Sequence, residues 1–266
     1  MARRLVGTLL AAIAAFAVTT APAQAAVDFT GIVSLDNCSG SLVRLPGSAP
    51  ADEALVLTNG HCVELMKPGE VIVDEAASRG FGLLDGSGEK ITTLRGTRLV
   101  YATMTGTDVA LYRVNKTYDE IQQRYGSRAL ELSATPPAAK TEIRIASGYW
   151  KRIYSCQIDD LVHRLKEAEW TWHDSMRYTP SCNTIGGTSG SPIIDNASGK
   201  VVGVNNTGND SGGRCTMNNP CEVDAAGKVT VRKGISYGQQ TSGLVPCFGP
   251  GTTLDLSLPD CKVAKP

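Results

Sequence analysis

The chain has 266 residues, of which 42% are hydrophobic and 20% are charged, a composition that is normal for globular proteins and excludes a disordered polymer. The 28 glycines show no period of three and no heptad pattern is sustained, which excludes collagen-like and coiled-coil proteins. Because 26 basic residues balance 26 acidic ones, no large basic surface is available to bind a nucleic acid.

The N-terminal segment has the three parts of a secretory signal peptide. Arg3 and Arg4 precede an apolar run over residues 5–18, and Ala23-Gln24-Ala25 is a small-residue cleavage site. A membrane anchor is the weaker interpretation, because the apolar run over residues 5–18 is shorter than the about 20 residues that a spanning helix needs. We therefore predict that residues 1–25 are removed on export. The mature protein is expected to be secreted, extracellular and not attached to a membrane.

Residues 26–132 are predicted to form a β-rich first half. Short apolar or alternating runs, typical of strands joined by turns, occur at residues 29–34, 41–45, 55–57, 71–73 and 109–114. The pattern from Thr117 to Glu120 is a capping box and Gly126 is a helix stop, so one short helix is predicted near residues 117–125. Residues 133–141 contain two prolines and are predicted to be an extended linker.

A second β-rich half is predicted over residues 142–245, followed by a C-terminal tail, 246–266, of no recognisable type. The strand-like runs of this second half lie at residues 142–147, 192–195, 201–205, 229–231 and 235–239. The segment 158–172 is ambiguous, because its apolar residues fit a helix as well as a strand.

Eight cysteines follow the predicted signal peptide, and an even count in an exported protein indicates disulfides. A zinc site is the weaker alternative, because the sequence has no C-x-x-C pair. The residues alone leave 105 pairings open. The acids Asp210, Glu222 and Asp224 are close in sequence, but a few acids in a loop are usually only solvated. No metal site is predicted.

Three short segments carry the residues suited to nucleophilic catalysis. Residues 187–192 read GTSGSP, where glycines around Ser189 allow a tight turn that can point backbone N–H groups at a developing negative charge. His61 lies in the segment TNGHC at the end of a predicted strand. Asp108 opens the apolar run DVALY, and a buried carboxylate is costly unless it is paired.

Together these segments resemble the chymotrypsin-like serine peptidases, in particular bacterial secreted members such as the glutamyl endopeptidases. The order His61, Asp108, Ser189 is that of the family. The segment CSGSL at residues 38–42 resembles the family strand that faces the histidine loop. The resemblance implies an all-β fold of two six-stranded antiparallel β-barrels packed together, with the site in the cleft between them.

The resemblance also implies a role for each residue. Ser189 would be the nucleophile, His61 the general base and acid, and Asp108 the group that orients the imidazole. The N–H groups of Gly187 and Ser189 would form the oxyanion hole. The expected protein is a monomeric serine endopeptidase that acts on protein or peptide substrates and needs no cofactor. The alternatives are an inactive peptidase-fold binding protein and an esterase with the same triad.

Two positions differ from familiar members of the family. Animal relatives have Asp immediately before the nucleophile, where it captures a new N-terminal ammonium group; here the residue is Thr188. The oxyanion hole is therefore expected to be held by local packing. The resemblance places Asn183 at the floor of the specificity pocket, which would make the pocket neutral and cleavage after Arg or Lys poor. The other expected substrate-binding residues are Thr184, Asn206, Thr207 and Gly208.

The resemblance further implies a disulfide between Cys38 and Cys62, which ties the facing strand to the histidine loop. Closeness in sequence then favours Cys215–Cys221 and Cys247–Cys261, which leaves Cys156–Cys182 across the second barrel.

Overall fold

The computed structural model describes residues 28–266, so the predicted signal peptide lies outside the described residues. Its strands form two sheets, each of which closes into a ring of six. The predicted architecture of two six-stranded barrels with a short helix is confirmed. No helix among residues 28–266 is long and apolar enough to span a membrane.

The first barrel contains the strands β1 (Ile32–Ser34), β2 (Ser39–Arg44), β3 (Glu53–Thr58), β4 (Val71–Leu84), β5 (Lys90–Thr103) and β6 (Val109–Thr117). Its strand order is β1-β4-β5-β6-β3-β2, and pairing of β1 with β2 closes the ring. All these pairs are antiparallel. A short seventh strand, β7 (Leu130–Glu131), adds to β2 in parallel.

The second barrel contains β8 (Glu142–Ser147), β9 (Arg152–Glu167), β10 (Trp170–Tyr178), β11 (Pro192–Asp195), β12 (Val201–Gly208) and β15 (Ser236–Gln240). Its order is β10-β15-β12-β11-β8-β9, and pairing of β10 with β9 closes the ring. The hairpin of β13 (Cys221–Val223) and β14 (Val229–Val231) extends the sheet beyond β9. The ambiguous segment 158–172 is therefore β9 and the start of β10, not a helix.

The helix α1 (Tyr118–Tyr125) begins and ends where its caps predict. The hydroxyl of Thr117 accepts the N–H of Glu120, the Glu120 carboxylate accepts the N–H of Thr117, and Gly126 has a left-handed backbone at φ 64°. Ile121 is buried and joins the core of the first barrel. The predicted helix is confirmed.

Several hydrophobic clusters join the barrels, and in one of them the hairpin of β9 and β10 reaches over the first barrel. Leu165, Trp170 and Trp172 are buried in the same cluster as side chains of β2 to β6. The indole N–H of Trp170 donates to the carbonyl of Met66 at 2.8 Å, and that of Trp172 donates to the carbonyl of Met104 at 3.0 Å. Both indole N–H groups are therefore satisfied although the rings are buried, which fixes the hairpin against the cleft.

The C-terminal tail covers the first barrel. Two short 3-10 turns, Val245–Cys247 and Pro250–Thr252, lie in it, and its apolar side chains, such as Phe248 and Leu254, pack against a buried cluster of barrel residues. The Tyr101 hydroxyl donates to the carbonyl of Ala264 at 2.9 Å. The tail is thus an integral part of the core.

Candidate active site

The three residues of the expected triad line one cavity of about 340 Å³. His61 follows β3, Asp108 precedes β6 and Ser189 precedes β11, so each lies where a strand meets a loop. The first two come from the first barrel and the third from the second. Loops at strand ends can hold functional groups on a rigid scaffold while leaving them accessible to a ligand.

His61 and Asp108 form a hydrogen-bonded pair. The Nδ1 of His61 lies 2.7 Å from Oδ2 of Asp108, and the backbone N–H of His61 donates to Oδ1 at 3.1 Å. The carboxylate of Asp108 is fully buried, whereas the imidazole is 24% exposed. The buried acid therefore fixes both the orientation of the ring and the position of its backbone.

The loop before His61 approaches the first barrel very closely. A Cβ on Gly60 would collide with the carbonyl of Thr103, so only glycine fits there. The side-chain amide of Asn59 donates to the carbonyl of Asp108 at 2.7 Å. These contacts hold the histidine loop against the strand that carries its partner.

The pKa of His61 is raised above its ordinary value of 6.5. Burial disfavours the imidazolium and lowers the pKa, but the charge and hydrogen bond of Asp108, together with the charge of Glu167, raise it by more. The site therefore stabilises the protonated imidazole, which is the form that a general base reaches when it has accepted a proton.

The nucleophile loop is fixed by backbone contacts to both barrels. The N–H of Ser39 donates to the carbonyl of Ser189 at 2.8 Å, and the N–H of Gly190 donates to the carbonyl of Asn205 at 2.9 Å. Gly190 has φ +81°, and a Cβ there would collide with the carbonyl of Ser39. The tight approach of β2 thus requires glycine immediately after the serine.

The Ser189 hydroxyl donates to the carbonyl of Asn206 at 3.1 Å. Within residues 28–266, no hydrogen bond joins this hydroxyl to His61. A change of the χ1 rotamer moves a serine hydroxyl without moving the backbone.

Two backbone N–H groups beside the serine are free. In the described part of the chain, the N–H groups of Gly187 and Ser189 donate to no protein atom. The buried Thr188 between them is held locally, because its hydroxyl donates to the carbonyl of Ile185 and accepts the amide of Asn205 at 3.1 Å. The free donors make this turn suited to bind an oxyanion.

The expected substrate-binding residues divide into two groups. Thr184, Asn206, Thr207 and Gly208 line the cavity, but Asn183 is exposed and does not. The expectation that Asn183 forms a pocket floor is therefore not met. Asn183 is exposed in the turn that directly follows the buried, disulfide-bonded Cys182.

Glu167 and Asp210 also line the cavity. The sequence analysis missed Glu167 and interpreted Asp210 only as a solvated loop acid. A signal for Glu167 does exist. In a strand, residues two apart share a face, and Glu167 stands two places after the buried Leu165. The helix interpretation of this segment hid the alternation.

All eight cysteines are disulfide-bonded, in the pairs Cys38–Cys62, Cys156–Cys182, Cys215–Cys221 and Cys247–Cys261. The first bridge joins the histidine loop to β2. Cys38, His61 and Cys62 have potential ligand atoms close together, but bridged cysteines supply no thiolate to a metal. Glu222, one of the three neighbouring acids, is bound instead by Arg177 and Arg232.

Replacing both Cys38 and Cys62 by alanine should lower the free energy of unfolding by about 3 kcal/mol, because the bridge closes a loop with a sequence separation of 24. The melting temperature should fall by roughly 10 °C, and activity should fall because the histidine loop loosens. The control is the double alanine variant of Cys247 and Cys261, which are remote from the cavity. A loss of stability with equal activity losses in both variants would contradict this role for the first bridge.

Comparisons with known proteins agree with this description. A family model for the trypsin-like peptidase domain matches residues 38–204, more than half of the chain. A comparison with curated proteins found no match.

Several solved structures are similar in fold. The MamO protease domain from Magnetospirillum magneticum is 13% identical, with a TM-score of 0.49, over 81% of this chain and 94% of that one. The active form of the Rv3671c protease from M. tuberculosis is 17% identical, with a TM-score of 0.48, over 87% and 90%. A Glu endopeptidase is 17% identical, with a TM-score of 0.46, over 83% and 89%. The match to the family model covers the histidine loop, Asp108 and the nucleophile loop, and the chain therefore belongs to the trypsin-like peptidase family and is a serine-type endopeptidase.

Proposed function

We propose that the protein is a secreted endopeptidase that hydrolyses peptide bonds through a triad of His61, Asp108 and Ser189 and an acyl-enzyme intermediate. The observation that carries this proposal is that Ser189 and the imidazole paired with Asp108 line one cavity. In the described part of the chain, two N–H groups of the serine turn, those of Gly187 and Ser189, also have no partner. Nucleophile, base, orienting acid and oxyanion donors are the parts that acyl transfer needs.

In the first step, Ser189 Oγ attacks the scissile carbonyl carbon as its proton passes to Nε2 of His61. The carbonyl oxygen becomes an oxyanion, which accepts hydrogen bonds from the N–H groups of Gly187 and Ser189. Each such donor lowers the activation free energy by about 3 kcal/mol. His61 then returns the proton to the leaving amine as the C–N bond breaks, which leaves Ser189 acylated.

In the second step, water gives a proton to His61 and attacks the ester carbonyl. The C–O bond to Ser189 breaks, and the serine recovers its proton from His61. Asp108 orients the imidazole and stabilises the imidazolium in both steps. The Ser189 hydroxyl must turn from the carbonyl of Asn206 to His61 for this sequence to start, and catalytic hydrogen bonds commonly tighten only when substrate binds.

The proposal includes export of the protein and a monomeric mature chain that begins at Ala26. Export is supported by the signal-peptide pattern of residues 1–25 and by the four disulfides, which persist in an oxidising compartment. N-terminal sequencing of the protein recovered from culture medium tests it.

Digestion of casein by the purified protein, combined with labelling by a fluorophosphonate, tests the activity. We expect casein fragments and a single label on Ser189. An esterase would take the label but leave casein intact, and an inactive binding protein would do neither. Labelling of any other residue would contradict the assignment of the nucleophile.

The pH profile of kcat/KM should show an acid limb above pH 6.5. The general base must be neutral to accept a proton, and the raised pKa of His61 means that the imidazole is already protonated at pH values where a free histidine is neutral. Activity should therefore fall about tenfold for each pH unit below that pKa. Rates on a peptide amide between pH 5 and 9 measure it, and a profile that is flat down to pH 5 would exclude a histidine base.

A further inference from the structure

The cavity beside Ser189 contains a buried carboxylate that takes no proton in the proposed mechanism and acts in it only through its charge on His61. Glu167 lies at the end of β9, is only 4% exposed and lines the cavity together with His61 and Ser189. An ionised carboxyl group away from water is costly unless it is paired and hydrogen-bonded. The hydrogen bonds and charges around Glu167 therefore indicate whether its role is structural or is to bind a ligand.

Only one of its two oxygens has a partner. Oε1 accepts the backbone N–H of Asn218 at 2.7 Å. Oε2 is buried and accepts no hydrogen bond from residues 28–266. Of the described residues that line the cavity, none is a lysine or an arginine. Among the described residues, Glu167 thus has one buried oxygen without a hydrogen-bond partner and no lysine or arginine of the cavity lining to pair with it. Its charge interacts with that of the His61 imidazole, which is occupied by Asp108.

The buried Glu222 is a useful comparison, because its carboxylate has a structural role and is fully hydrogen-bonded within the chain. It is 9% exposed, and its carboxylate accepts hydrogen bonds from Arg177 at 2.9 and 3.0 Å and from Arg232 at 2.9 Å. The Tyr237 hydroxyl donates to it as well. Glu222 is fully paired by the chain itself, and Glu167 is not.

We propose that Glu167 binds a lysine or arginine side chain of the substrate in the cavity beside Ser189. This inference rests on the proposed peptidase function and adds a substrate class to it. The incoming cation would donate to Oε2, the vacant acceptor. The exposed carboxyl group of Asp210 also lines the cavity and adds negative charge along the approach.

The apolar lining of the cavity suits the rest of such a side chain. Long cationic side chains bury their methylene stems against apolar surface while the charged end is bound separately. Leu65 and Met217 line the cavity and are 64% and 44% exposed. They offer that surface without covering the carboxylate.

The pKa of Glu167 agrees with a buried carboxyl group that has no lysine or arginine as a partner. Burial raises the pKa of Glu167 above its ordinary value of 4.5. The polar hydroxyl of Thr207 near the carboxyl group, the hydrogen bond from the N–H of Asn218 and the charge of His61 lower the pKa by less, and the charge of Asp108 raises it further. A bound ammonium or guanidinium group would favour the ionised form and so reduce the cost of burying it.

The proposal replaces the expectation of a neutral pocket with poor cleavage after Arg or Lys. That expectation depended on Asn183, which does not line the cavity. The acidic group comes instead from the end of β9, and it lines the same cavity as His61.

The test compares matched peptides that differ by one charge. Lysine is compared with norleucine, and arginine with citrulline, at each of the four positions before the scissile bond. The wild-type ratio of kcat/KM should favour the cationic peptide by about tenfold or more at one position, the size expected for a charge-assisted hydrogen bond. Glu167→Gln keeps the acceptor for Asn218 but removes the charge, so it should reduce that ratio by about tenfold.

The matched control is Glu169→Gln, which makes the same change two residues away at an exposed position of the hairpin turn. It should leave the ratio unchanged. A wild-type enzyme that cleaves the peptides without preferring a cation at any position would overturn the inference but leave the peptidase function intact, even if Glu167→Gln fails to fold. An unchanged ratio in a folded Glu167→Gln variant would overturn it too.

If no peptide is cleaved, the proposed function fails, and calorimetric titration of the wild-type protein with the same peptides decides the inference. Tighter binding of the lysine peptide, lost in Glu167→Gln, would support it. Equal Kd values for the lysine and norleucine peptides would overturn it.

Discussion

Replacing Ser189 by alanine should reduce kcat for peptide hydrolysis by about 10⁶-fold, the size of effect measured when a triad serine is removed. Alanine has no hydroxyl to attack the carbonyl, so no acyl-enzyme forms, and the fluorophosphonate label should disappear. Some rate above that of water should survive, because the N–H groups of residues 187 and 189 still bind the oxyanion. Burst kinetics with an ester substrate and mass spectrometry of the labelled protein measure these effects.

Ser191→Ala is the matched control for this variant. Ser191 lies two residues away, is fully buried, and its hydroxyl has no hydrogen-bond partner among residues 28–266. Its removal makes the same chemical change without touching the proposed chemistry, so kcat should change little. Unimpaired hydrolysis by Ser189→Ala, or an equal loss in Ser191→Ala, would show that the nucleophile has been misassigned.

The catalytic positions could be predicted from the sequence because each is tied to a short local pattern. The glycine after Ser189 is required by the close approach of β2, and the glycine before His61 is required by the close approach of β5. Asp108 is marked by its place at the start of an apolar strand. Each pattern is short and continuous in the sequence, so it can be seen without knowledge of the tertiary contacts that require it.

The cavity could not be predicted in the same way because its walls come from distant segments. Glu167 reaches it only because β9 is a long strand, and the apolar spacing of residues 158–172 fits a helix equally well. Pairing between β9 and β10 decides the matter, and that pairing is a tertiary contact. Asn183 shows the opposite error, since counting back from the serine placed it inside although the turn after Cys182 points it outward.

The role proposed for Asp108 predicts the second large effect. Asp108→Asn should reduce kcat/KM by about 10⁴-fold at neutral pH, the size measured for this substitution in a triad of the same kind. The asparagine amide can donate a hydrogen bond to Nδ1 of His61, which places the imidazole proton on Nε2. That tautomer cannot accept the proton of Ser189, so the base is lost although the ring stays in place.

The pH profile separates this role from a merely structural one. Asp108 raises the pKa of His61 through its charge and its hydrogen bond, whereas burial lowers it. Removing the charge leaves burial less opposed, so the pKa of His61 should fall and the acid limb of the residual activity should move to lower pH. The control is Asp74→Asn, which breaks an exposed ion pair with Arg98 elsewhere in the first barrel and should change neither rate nor profile. The Asp108 carboxylate lies 2.7 Å from Nδ1 of His61, so the loss of its negative charge must destabilise the imidazolium if Asp108 acts on the base. A folded Asp108→Asn variant whose acid limb stays at the wild-type pH would therefore show that Asp108 does not have this role.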